Sequence, residues 1–159
     1  MNAIGAIIVA WFAILWVVAG ASQLDRRWFT MLLGLAIVIS GSIIFAATRI
    51  PFGKHSGGFN GKIYSIFVML EFIAIFIALI LLNRSGRTEY LMPVIALIVG
   101  AHFFGMVPAL RSNDFWWVGG VTCALPLATM SIVPQKIWSP VVGIGCAVIL
   151  WLSALRAFF

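Results

Sequence analysis

The chain consists of apolar runs about twenty residues long with only short polar stretches between them, and this pattern restricts it more than any other feature. A helix needs about 20 mostly apolar residues to cross about 30 Å of hydrocarbon. Six runs come close to that length, at about 3–20, 28–48, 63–82, 91–110, 116–133 and 138–157. They are continuous rather than alternating at every second residue, unlike the strands of an outer-membrane barrel. With 64% hydrophobic residues, 9% charged residues and a mean hydropathy of +1.16, the composition lies far from that of a soluble domain. The expected architecture is all-α. It is a single membrane-embedded domain over residues 1–159, a polytopic bundle of about six transmembrane helices with short loops, integral to the cell (inner) membrane.

The first run ends in VVAGAS, where Ala19, Gly20 and Ala21 fit a small-x-small cleavage rule. No Lys or Arg precedes the run, and it is too long for a signal h-region, so it is expected to persist as a helix. One connection, RIPFGKHSGGFNGK at 49–62, has length to spare. Its Gly, Lys and His content predicts a solvated loop, and it contains no phosphate-binding signature. The formal charge of +6 comes from ten basic residues spread over helix ends and loops, where they meet lipid headgroups rather than nucleic acid. Cys123 and Cys146 both fall inside apolar runs, which argues against a disulfide framework.

Orientation is undecided by charge. One set of connections carries Arg26, Arg27, Arg84, Arg87 and Lys136, and the opposite set carries Arg49, Lys54, Lys62, Arg111 and Arg156, five against five. Such a tie is compatible with insertion both ways and an antiparallel homo-oligomer, as well as with one ordinary orientation. Small residues recur on helical faces, Ala6 with Ala10 and Ala13 in the first run and Gly34 with Gly41 in the second, where backbones can approach closely. Packing within the chain is the simpler use of both faces, and a dimer contact is the alternative. Trp28, Trp116, Trp117 and Trp138 stand at the starts of runs, as interfacial anchors do, whereas Trp11 lies deep in the first.

Two ionisable residues interrupt the apolar runs near their centres. Glu71 lies twelve residues before Asn83, and His102 lies twelve residues after Tyr90. At 1.5 Å per residue both stand about 18 Å from the connection between their helices, hence at equal depth on antiparallel neighbours. An ionised carboxylate facing lipid costs at least about 2.5 kcal/mol, so Glu71 is expected to face the bundle interior or to be protonated. A histidine within hydrogen-bond reach would relieve it, and the two together could bind and release a proton or a substrate. The competing assignment is structural, with Glu71 neutral and His102 filling a polar spot in the core.

The same region is irregular. Pro108 cannot donate to the Phe104 carbonyl, Gly100 and Gly105 bracket His102, and Pro126 frees the Thr122 carbonyl. Freed carbonyls are tolerated at membrane depth only where protein or water satisfies them, so a polar cavity lined by Trp11, Thr122, Cys123 and Cys146 is the expectation. Glu71, His102, Cys123 and Cys146 do not form a recognised metal signature, and one intramembrane histidine supplies a single axial haem ligand, so no metal or cofactor is expected.

A small transporter or channel for a small solute or ion follows as the expected function, with Glu71 and His102 as its site. Its partners would be the lipid bilayer and a substrate that the residues do not identify. A membrane-embedded ligand-binding subunit working with a partner protein is the alternative, similar in size and helix count to the substrate-binding components of vitamin uptake systems. The Ala6-x-x-x-Ala10 face would suit docking to a partner helix. Catalysis is not expected, because only Arg49, Lys54, His55 and Lys62 approach a cluster and no acid stands near them in that loop.

Overall fold

The computed structural model describes residues 3–49, 60–110, 112–156 and 158. Among them there is no strand. Six α-helices follow in order: α1 (Ala3–Ala21), α2 (Arg26–Thr48), α3 (Gly61–Arg84), α4 (Leu91–Leu110), α5 (Asp114–Ile132) and α6 (Trp138–Leu155). Short 3₁₀ turns, Thr88–Tyr90 and Gln135–Ile137, lead into α4 and α6. Five of the helices are long and apolar enough to cross a membrane; α1 falls short of that length, its apolar stretch covering Gly5–Ala21. The solvated loop expected over 49–62 lies largely outside the described residues, with Lys54 and His55, and so does Arg111.

Local chemistry sets the boundaries. Asn60 caps α3, its Oδ1 accepting from the Ile63 amide at 3.2 Å. The same helix ends where Gly86 adopts a φ of +68°, so that Arg87 N donates to Leu82 O at 2.9 Å and Gly86 N to Asn83 O at 3.2 Å. This pair of bonds is the Schellman arrangement, and it turns the chain sharply into the next helix. Pro134 stops α5 just after Val133 N has closed on Thr129 O at 2.9 Å. Pro108 and Pro126, by contrast, lie inside α4 and α5, and both helices continue through them.

The helices pack in a row rather than a ring. At the centre is α6, with twelve of its eighteen residues buried, flanked by α1 on one side and by α4 and α5 on the other. At the two edges lie α2, packed on α1, and α3, packed on α4. The α1–α6 contact is an antiparallel backbone approach. A Cβ on Gly20 would stand 2.7 Å from the Gly143 Cα, and one on Gly143 would stand 2.7 Å from the Trp16 carbonyl oxygen. Ala6, Ala10 and Ala13 are fully buried in the same core.

One buried polar node links three helices. Ser40 Oγ donates to the Ala10 carbonyl at 2.9 Å and accepts from Trp151 Nε1 at 2.9 Å, so that α2, α1 and α6 are joined with both side-chain donors used.

Some small and aromatic residues are placed otherwise than their positions suggest. Gly34 and Gly41 face outward, and a methyl group added at either would meet nothing within 4 Å, so packing within the chain does not use them. Trp28 and Trp116 are exposed at helix starts, but Trp138 is turned inward, its Nε1 donating to Val133 O at 2.8 Å to close the turn before α6.

Candidate functional site

The edge helix α3 touches α4 along a seam that Gly105 makes narrow. Any Cβ at that position would run into the Phe67 ring, so the missing side chain lets α3 approach. Met106, Ala109 and Phe115 gather beneath Ile63, Tyr64, Phe67 and Val68, and Asn60 N donates to Ala109 O at 2.9 Å. These contacts fix the rotation of α3 at the end where the helix begins.

In that register His102 meets Glu71. Its Nδ1 lies 3.2 Å from Glu71 Oε2 and 3.2 Å from the Phe67 carbonyl oxygen, one helical turn earlier on α3. A carbonyl oxygen can only accept, so the contact with Phe67 places a hydrogen on Nδ1. Nε2 is then the ring nitrogen that gains or loses the second proton, and Glu71 meets the donor edge as an acceptor. The side chains of His102 and Glu71 are 10% and 16% exposed, partly buried where α4 meets α3, a helix that has no fully buried residue. They lie in the α3–α4 seam at the edge of the bundle, not in the core around α6.

The other residues expected at a cavity do not join this pair. Trp11 stands on the outer surface of α1, 59% exposed, because its helix turns its alanine face inward. Thr122 is 2% exposed, and its Oγ1 has no hydrogen-bond partner among the described residues, one turn before Pro126. Cys123 packs where α5 meets Gly100, its Sγ 3.7 Å from the Leu97 carbonyl oxygen. Cys146 lies in the main core, 1% exposed. Gly100 and His102 are two residues apart, hence about 200° apart around α4, so one face of that helix receives Cys123 and the other receives Glu71. Among the described residues no three His, Cys, Asp or Glu side chains converge.

Two polar features escaped the sequence. The Ser40–Trp151 bond was signalled only by a serine and a tryptophan deep in two apolar runs, with nothing to pair them. The second is an open cleft of about 680 Å³ at the end of the bundle where α1, α3 and α5 finish. It draws one or two polar residues from each of three connections, a convergence visible only once the helices are packed.

At the opposite end Arg156 lies 4.0 Å from Asp114 Oδ1 and stacks over the Trp117 ring at 4.5 Å. The ion pair is well exposed and contributes little to stability. The chain matches no family model, and comparison with curated proteins and with solved structures found no similar protein.

Proposed function

We propose that the chain is a membrane-embedded bundle, with α1 as a sixth span, that moves a small solute or ion without catalysing a reaction. Glu71 and His102 are its proton- or substrate-binding site. The observation that carries this assignment is the 3.2 Å contact between Nδ1 and Oε2 midway along two apolar helices. Ionisable groups within a membrane are costly and are commonly part of ion or proton pathways.

The chemistry of the pair suits such a role. A carboxylate with an imidazolium and a carboxyl with a neutral imidazole are both uncharged overall. Removing one proton leaves a net charge of −1, and adding one leaves +1, so the site exchanges a proton for a cation without leaving the seam. Its location matters as well. Because α3 lies at the edge of the bundle and packs chiefly on α4, the two can part without opening the core around α6.

The binding-subunit alternative loses its docking motif, since Ala6 and Ala10 are fully buried against the chain's own helices.

Flux in liposomes tests the proposal. The purified chain is reconstituted with a trapped pH-sensitive dye, and potassium or sodium gradients are imposed. Wild type is expected to move protons against one of these gradients. Glu71→Gln, which keeps size and hydrogen bonding but removes titration, is expected to reduce that signal to the level of empty liposomes while the protein stays folded. Unaltered flux and pH dependence in Glu71→Gln would refute it.

A further inference from the structure

The two halves of the α3–α4 seam are built differently. Residues 64, 67, 71, 74 and 78 follow one another at intervals of three or four and share one face of α3. Before Glu71 that face carries Tyr64 and Phe67, which pack against the group of Met106, Ala109 and Phe115. After Glu71 it carries Ala74 and Ala78. Alanines that pack between helices elsewhere in the chain, Ala10, Ala96 and Ala109 among them, are fully buried, whereas Ala74 and Ala78 are partly exposed. A methyl group this short stays partly exposed only where the opposite helix does not close over it.

The hydrogen bonds divide at the same point. Asn60 N donates to Ala109 O at 2.9 Å, and His102 Nδ1 reaches the Phe67 carbonyl oxygen and Glu71 Oε2 at 3.2 Å each. Beyond Glu71 no hydrogen bond of the described residues joins α3 to another helix, and Asn83 near its end bonds back to Leu79 O at 2.8 Å. No apolar side chain of α3 after Val68 enters either packed core. The connection that follows is exposed over residues 83–88, and a methyl group added at Gly86 would meet nothing within 4 Å, so this end can shift without striking a neighbour. The seam also runs out into the open cleft, since Asn83 and Leu91 both line it.

We propose that the Glu71–His102 pair is loaded from the cleft end: the half of α3 beyond Glu71 swings off α4 about the contact between Phe67 and Gly105, while the packed half stays shut as the far gate. The swing takes its purpose from the transport role proposed for the pair. Its cost is low on one side and high on the other. A solute coming from the cleft has only Ala74 and Ala78 to pass, whereas one coming from the opposite end must part the Phe67 ring from Gly105 and break the packing of Met106 and Phe115.

Thiol labelling in lipid nanodiscs, which leave both ends of the bundle open to water, tests this. The probe is a trimethylammonium methanethiosulfonate, whose fixed charge confines it to water, and peptide mass spectrometry locates each adduct, so Cys123 and Cys146 stay in place. Val68 lies seven residues from the start of α3, and Ala74 lies ten from its end. Depth alone therefore predicts faster labelling of Val68→Cys. The swing predicts the reverse, with Ala74→Cys labelled at least about tenfold faster than Val68→Cys, and Ile73→Cys on the outer face left unlabelled in lipid. Cys146, 1% exposed, reports unfolding in the same spectra, and Ala78→Cys against Met106→Cys repeats the comparison with independent variants. Labelling of Val68→Cys as fast as that of Ala74→Cys, labelling of neither, or equal labelling of Ile73→Cys would overturn the proposal. The readout needs no flux. The predicted labelling order in a chain that moves no protons would uphold the swing and refute the transport role, and proton flux without that order would refute the swing alone.

Discussion

The two helices α3 and α6 are both apolar enough to cross a membrane, yet they occupy opposite environments. Strongly apolar as both are, α3 has no buried residue while α6 has twelve. In water apolar helices of this kind would both be driven to bury, because burial follows hydrophobicity. Where lipid surrounds the bundle there is no such drive, and position follows side-chain size. Ser139, Gly143, Cys146, Ala147, Ser153 and Ala154 give α6 surfaces that neighbouring backbones can approach. In contrast, α3 presents Phe72 and Phe76 outward, 65% and 64% exposed. Glu71 is therefore notable for the helix that carries it: it sits on the edge helix and turns to α4, on which that helix chiefly packs.

This contrast can be broken most severely at Gly143. Leucine there must push α1 off α6, and a loss of about 3 kcal/mol is expected in chemical unfolding, with Phe76→Leu on α3 changing stability by less than about 0.5 kcal/mol. Similar effects at the two sites would mean that small residues do not mark the interior.

Ser40→Ala comes next. It strands the buried Trp151 Nε1, and a loss of about 1–2 kcal/mol is expected, most of it recovered when Trp151→Phe removes the stranded donor as well. Thermal unfolding of the three variants measures this, and additive losses would show that the bond does not form.

The smallest effect is expected on the outward face of α2. Gly34→Ala and Gly41→Ala have open space for a methyl group, and each should stabilise the helix by up to about 0.5–1 kcal/mol. A loss in the same melting assay would show that the face is covered, and cross-linking would then establish whether a second copy covers it.

Element positions were legible in the sequence because hydropathy sets them: the six expected runs match the six helices to within two or three residues. The depth of Glu71 and His102 was legible as well, since helical rise converts spacing into distance. Their rotation was not, because it depends on Gly105 admitting Phe67, a contact between residues 38 positions apart. The arrangement of helices was equally hidden. Gly20 and Gly143 determine the central contact, but each alone is an ordinary glycine in an apolar run. Trp11 shows the limit from another side, since depth along a helix says nothing about which face a residue occupies.

Whether Glu71 and His102 act as one unit is most directly measured by a double-mutant cycle on proton flux in liposomes, comparing Glu71→Gln, His102→Phe and the double variant with wild type. A coupled site predicts that each single variant loses most of the flux and that the double variant loses far less than the product of the two losses. Independent losses that multiply, or a His102→Phe variant with the pH response of wild type, would contradict it and leave both residues with structural roles in the seam.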